Sequence, residues 1–144
     1  MLAIGSDHGG FELKNYVIEH LENKGVECKD CGTYTEESCD YPDIAKKVAD
    51  TVISGECERG ILICGTGIGI SIAANKIDGI RAALCSDVFS AKMARQHNNA
   101  NIICLGGRVT GRELAFMIID TFLEQEFEGG RHQKRIDKIH ALEK

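Results

Sequence analysis

Short apolar runs alternate along the chain with stretches whose apolar residues recur at helical spacing. Leu2–Ser6 reads as a strand. Gly10–Lys24 follows, with Leu13, Tyr16, Val17, His20 and Leu21 on one helical face. His20 is thereby assigned to the core, and Gly25 ends the helix as a C′ glycine. Val26–Asp30 is a weaker strand, and 31–41 is a polar, turn-rich loop long enough to suggest function. Pro42 opens a helix at its first position, with Ala45, Val48, Ala49, Val52 and Ile53 inward and Gly55 closing it. Gly60–Cys64, Ile80–Cys85 and Asn101–Leu105 are near-continuous apolar strands, as in a parallel sheet covered on both faces. Between them lie helices over about Gly69–Lys76 and Asp87–His97. Thr110 and Glu113 have capping-box spacing for a further helix. Gly129–Gly130 hinges into a last helix, Arg131–Leu142. Five βα units predict a single-domain, doubly wound α/β sandwich over 1–144: a five-stranded parallel sheet, helices on both faces and a C-terminal helical arm, 131–144, set against another subunit.

Composition narrows the function classes. The 144 residues carry 17 basic and 22 acidic side chains, a net charge of −5. That balance disfavours non-specific binding to nucleic acid or to an anionic membrane. Ile61–Ala74, the longest stretch of low polarity, is too short and glycine-rich to span a bilayer. Seven cysteines, an odd number, occur without a secretory signal, so free thiols in a reducing cytoplasm are expected. Cys28 and Cys31 form a C-x-x-C at a strand end without a second pair, which reads as two ordinary thiols.

Ligands of such sheets bind beyond the carboxyl ends of the strands. Ser6–Gly10, Cys64–Gly69, Ser86–Asp87 and Gly106–Arg108 follow strands and should share that rim. A glycine-rich turn opening a helix presents amide N–H groups at the positive end of a dipole, a cradle for phosphate or for an oxyanion. No Lys-Ser/Thr follows, so this is no P-loop, and Ile70 replaces the last glycine of a dinucleotide fingerprint. Asp87, about 20 residues on, keeps a non-catalytic nucleotide-binding module as an alternative. Cys64 starts the turn, where a helix terminus favours thiolate and suits a base or nucleophile. Cys85 and Cys104 hold similar strand ends, where a thiol also serves as a small apolar residue. His8 beside Asp7 suits acid–base work or a phosphate contact, and His97 at a helix C-terminus suits a general acid. Arg131 and Arg135 share a helix face at an N-terminus that disfavours cations, so the pair reads as a phosphate clamp.

Six ordered motifs together resemble the type B ribose-5-phosphate isomerases and the related galactose- and allose-6-phosphate isomerases. They are Gly5–Gly10, Asp40–Asp43, Cys64–Gly69, Ala94–Asn98, Leu105–Arg108, and Arg131–His132 with Arg135. The resemblance covers nearly the whole chain. It implies a Rossmann-like homodimer or dimer of dimers, with active sites shared between subunits, that interconverts aldose and ketose phosphates without metal or cofactor. Cys64 is then the base at C2. Thr66 and the amides of Gly65, Gly67, Ile68 and Gly69 hold the enediolate. His97 opens the furanose ring, and Asn98 meets sugar oxygens. Asp7 and His8 contact the sugar and phosphate ends, while Arg108, Arg131 and Arg135 bind phosphate, with Tyr41 a lesser contact. The expected substrate pair is ribose 5-phosphate and ribulose 5-phosphate, with a six-carbon 6-phosphate as the nearest alternative.

Overall fold

In a computed structural model that describes residues 1–143, the strands β1 (Leu2–Ser6), β2 (Cys28–Asp30), β3 (Arg59–Cys64), β4 (Ala82–Leu84) and β5 (Ile102–Gly106) form one parallel sheet in the order β2-β1-β3-β5-β4. The helices are α1 (Phe11–Asn23), α2 (Tyr41–Ile53), α3 (Ile68–Ala74), α4 (Val88–Gln96), α5 (Arg112–Glu124) and α6 (Arg131–His140). A short 3-10 turn, His8–Gly10, leads into α1. Lys144, the end of the expected arm, lies outside the described residues.

The period-2 alternation of strand side chains builds two cores. Ile4, Ile61, Ile63, Ile103 and Leu105 face α1, α4 and α5. Ala3, Leu62, Cys64, Ile102 and Cys104 face α2 and α3. Cys64 thus points to the side where α3 begins. From β1 the chain runs outward to β2 on one side, and β3 continues the sheet on the other. The strand order reverses between β1 and β3, which opens a crevice at their carboxyl ends.

Several local expectations shift. The Thr110–Glu113 capping box does not form: Gly111 has the extended cap backbone, no side chain caps α5, and Thr110 is buried one residue too early. Asp40 is the N-cap of α2, so Pro42 stands at its second position. His20 is half-buried rather than core; its Nε2 lies 3.0 Å from Asp120 and its ring stacks on Phe116. Lys14, by contrast, is fully buried, with Nζ donating to Asp30 at 2.7 Å and to the Thr33 carbonyl at 2.6 Å. It ties the 31–40 loop to α1. All seven cysteines are free, and no helix among the described residues is long and apolar enough to cross a membrane.

Candidate active site

The crevice is built by three turns that meet backbone to backbone. After β3 the chain bends at Gly67, whose φ of +82° suits glycine, and α3 starts at once. A Cβ on Gly107 would lie 2.7 Å from the Gly9 carbonyl oxygen, so the turns after β1 and β5 close only without one. Gly107 and Arg108 amides donate to the carbonyls of Cys64 (2.8 Å) and Gly65 (3.0 Å), which locks the β5 turn onto the β3 turn.

Cys64 is buried, and its Sγ accepts a hydrogen bond from the Gly67 amide at 3.1 Å. Thr66, exposed, accepts from the Ile68 amide at 3.2 Å. Other thiols differ in environment. Burial pushes Cys85 up to about 11 and Cys104 far above the usual thiol range, so both stay protonated. Asp7 is buried and accepts from the Gly9 amide at 2.9 Å. His8 Nδ1 accepts from the Cys39 amide at 3.2 Å, which leaves Nε2 to carry the proton of the neutral ring. The 31–40 loop thereby orients His8. The Arg108 guanidinium packs over Gly65, with Nη1 3.2 Å from where a Cβ would be. His8, Gly9, Tyr16, Arg108 and Arg112 line a cleft of about 560 Å³ on this rim. Tyr41 reaches the other side of the turn, its ring 2.6 Å from where a Gly69 Cβ would stand.

Asp87 takes no part in this crevice. Its carboxylate caps α4, accepting from the Ser90 amide (2.7 Å) and hydroxyl (2.8 Å), and these bonds hold it below its ordinary value. The acid that a nucleotide ribose would need is already engaged.

The remaining residues expected at the site stand at the other end of the sheet. The helix α4 runs back from the rim, so His97 and Asn98 lie beside the loop that enters β5. A five-residue strand spans about 16 Å, which sets the scale of their separation from Cys64 in one copy. Arg131 and Arg135, both exposed, begin α6 at the same end. His132 between them is buried and stacks on His97, ring centroids 4.2 Å apart. Glu128 Oε1 lies 3.7 Å from Nε2 of each. One ligand atom from each of the three lies within 4.8 Å of the others. With the rings stacked, though, no ion lies in both ring planes, and two guanidinium groups adjoin.

Sequence reasoning missed the residue that holds this end together. Arg95 is buried; Nη1 donates to Asn99 Oδ1 (2.9 Å) and the Ala100 carbonyl (2.8 Å), and Nε to the Gln125 carbonyl (3.3 Å). Burial lowers it to about 10. The signal was present: Ala91, Ala94 and Arg95 follow i, i+3, i+4, a buried face. A larger hollow at this end, about 850 Å³, lies between Asn75, Arg81, Asn98, Ile139 and Leu142.

Fold and rim together define a doubly wound α/β protein with an amide-lined, cation-flanked crevice at its topological switch point, the form suited to a small anionic ligand. Residues 2–139 match the sequence profile of the Ribose/Galactose Isomerase family. The chain is 54% identical to ribose-5-phosphate isomerase B of Escherichia coli over 142 residues, 99% of this chain and 95% of that one. Solved structures of ribose-5-phosphate isomerase B from Clostridium thermocellum (56% identity, TM-score 0.97, 98% of this chain and 95% of that) and Thermotoga maritima (58%, 0.97, 98% and 97%) superpose closely. The chain belongs to the Ribose/Galactose Isomerase family.

Proposed function

We propose that this protein interconverts D-ribose 5-phosphate and D-ribulose 5-phosphate through an enediolate. The observation that carries the reading is the crevice between β1 and β3, where a thiol, an amide-lined turn and a cation-bearing cleft adjoin in a chain so close to ribose-5-phosphate isomerases. In the open-chain aldose, Cys64 Sγ takes the proton from C2. The electron pair forms the C1–C2 double bond, and negative charge moves to the C1 oxygen. Amides of the 65–69 turn and the Thr66 hydroxyl hold that charge. The Gly67 N–H, donated to sulfur at rest, is freed as Sγ takes the proton. The O2–H proton passes to the C1 oxygen, and Cys64 returns its proton to C1 as the O2 electron pair forms the C2=O bond, which gives the ketose. Arg108 and His8 anchor phosphate away from the reacting carbons, which fixes a flexible substrate for transfer.

This reading requires two copies of the chain. Ring opening by His97, sugar contacts from Asn98 and phosphate binding by Arg131 and Arg135 must come from the amino end of a second sheet. A two-fold dimer that sets each amino end against the other's rim completes two sites. The β4 side favours such contact: Ile68, Ile72, Leu84, Phe89 and Leu142 are all exposed there, on α3, β4, α4 and the end of the arm. The dimer follows from this reading of the site.

The decisive experiment is Cys64→Ala. Isomerisation of ribose 5-phosphate should fall about a thousandfold, while calorimetric binding of a phosphorylated sugar acid persists. Undiminished turnover removes the mechanism. Comparing kcat/KM for ribose 5-phosphate, allose 6-phosphate and galactose 6-phosphate tests the five-carbon preference.

A further inference from the structure

Two residues beside His97 are left without a task by the reaction so far. The His132 side chain is only 8% exposed, and its Nε2 has no hydrogen-bond partner. Its ring lies flat on His97, the planes 12° from parallel. Glu128 is held beside them by its backbone, whose N–H donates to the Gln96 carbonyl at 3.0 Å. Its carboxylate is 3.7 Å from His97 Nε2. His97 itself is 37% exposed and follows the last turn of α4, so little else fixes the direction of its ring.

We infer that Glu128 and His132 are positioning residues for ring opening: Glu128 is the counter-ion for a proton on His97, and the buried His132 ring is the platform that aims it. The inference rests on the assignment of ring opening to His97. In the furanose form the C1–O4 bond breaks and its electron pair goes to O4, which takes the proton from His97. The O–H pair of the anomeric hydroxyl becomes the second C1–O bond, and that proton passes to water. Solvent reprotonates His97, so protons balance. The two rings divide the work by environment. Burial, the facing His97 and the guanidinium groups of Arg131 and Arg135 press His132 below its ordinary value. The nearby Glu128 opposes this only in part. His97 is the exposed ring of the two, and so the one able to reach a sugar.

The ketose gives a clean control. Its C5 oxygen carries phosphate, so it has no furanose ring to open, and exchange of its C1 proton with D2O reports deprotonation alone. Two rates are measured on each variant: conversion of ribose 5-phosphate, and C1 exchange of ribulose 5-phosphate by NMR. Glu128→Gln should slow the first about threefold to fivefold and the second less than twofold. Glu128→Asp should recover part of the loss. His132→Ala should act like Glu128→Gln, and His132→Phe, which keeps the stacked ring, should stay near the wild type. Parallel falls in both rates, or no change in either, overturn the inference. A His97→Asn protein with an unchanged ratio of the two rates overturns it too, by removing ring opening from His97. Absence of both reactions in the wild type would instead refute the isomerase reading itself.

Discussion

At Gly67 the backbone has φ +82°, and an added Cβ would stand 2.5 Å from Leu84 and 3.0 Å from the Leu105 carbonyl oxygen. Both strain and contact oppose any larger residue. Gly67→Ala should lower unfolding free energy by about 2 kcal/mol in urea titrations. It should also reduce kcat more than stability alone explains, because the Gly67 amide is the donor at Cys64 Sγ. A variant with native turnover would show that the turn does not hold the reacting charge. This residue and its turn were readable from Cys64–Gly69 itself, since only glycine supplies such backbone. The role of Lys14 was not readable in that way. Lysine is ordinarily solvated, and what buries this one is the carboxylate of Asp30, 16 positions on. Yet Lys14, Val17 and Leu21 fall at i, i+3, i+7, and that spacing could have marked it as inward.

Elements fix the site through a few such buried ions. Lys14 joins α1 to the loop that orients His8. Lys14→Ala leaves Asp30 unpaired and frees the Thr33 carbonyl. It should cost about 3 kcal/mol of stability by chemical denaturation and raise KM through the loosened loop. A loss under about 0.5 kcal/mol would mean the pair contributes no more than a surface contact. The junction of α4 and α6 should show itself in pH. His132 has its native pKa below its ordinary 6.5, chiefly through burial. The unfolded chain therefore binds that proton more readily than the native one. The associated stability is complete above pH 6.5 and is lost as pH falls from there through the native value. Thermal melts between pH 7.5 and 5 should show this decline, and His132→Phe should flatten it. An equal slope in both proteins would assign the decline to other groups.

For the whole molecule the proposed function predicts a divided site. Mixing Cys64→Ala with His97→Asn protein under conditions of chain exchange produces hybrid dimers. If each site takes Cys64 from one copy and His97 from the other, half the dimers hold one intact site, and about a quarter of native activity returns. If both residues served from one chain, mixing two inactive proteins would restore nothing. The same predicted division would account for the charge pattern of α6. Arg131 and Arg135 stand at a helix N-terminus, where cations are unfavourable in isolation. Opposite a bound phosphate they gain a charge-assisted partner.

The alternating pattern determined the five βα units, the parallel sheet and the class of chemistry, because periodicity and glycine placement act over neighbouring residues. It placed Cys64 at a strand end and His97 at a helix end. Tertiary structure alone decided that these ends lie on opposite sides of one sheet, since strand order and helix direction arise from packing between residues far apart in the chain. It also supplied the partners of the buried Arg95 and Lys14, whose spacing marks an inward face but not what meets them there. Those partners are distant in the chain, Asp30 for Lys14 and the Gln125 carbonyl for Arg95, and local spacing carries no record of which group arrives.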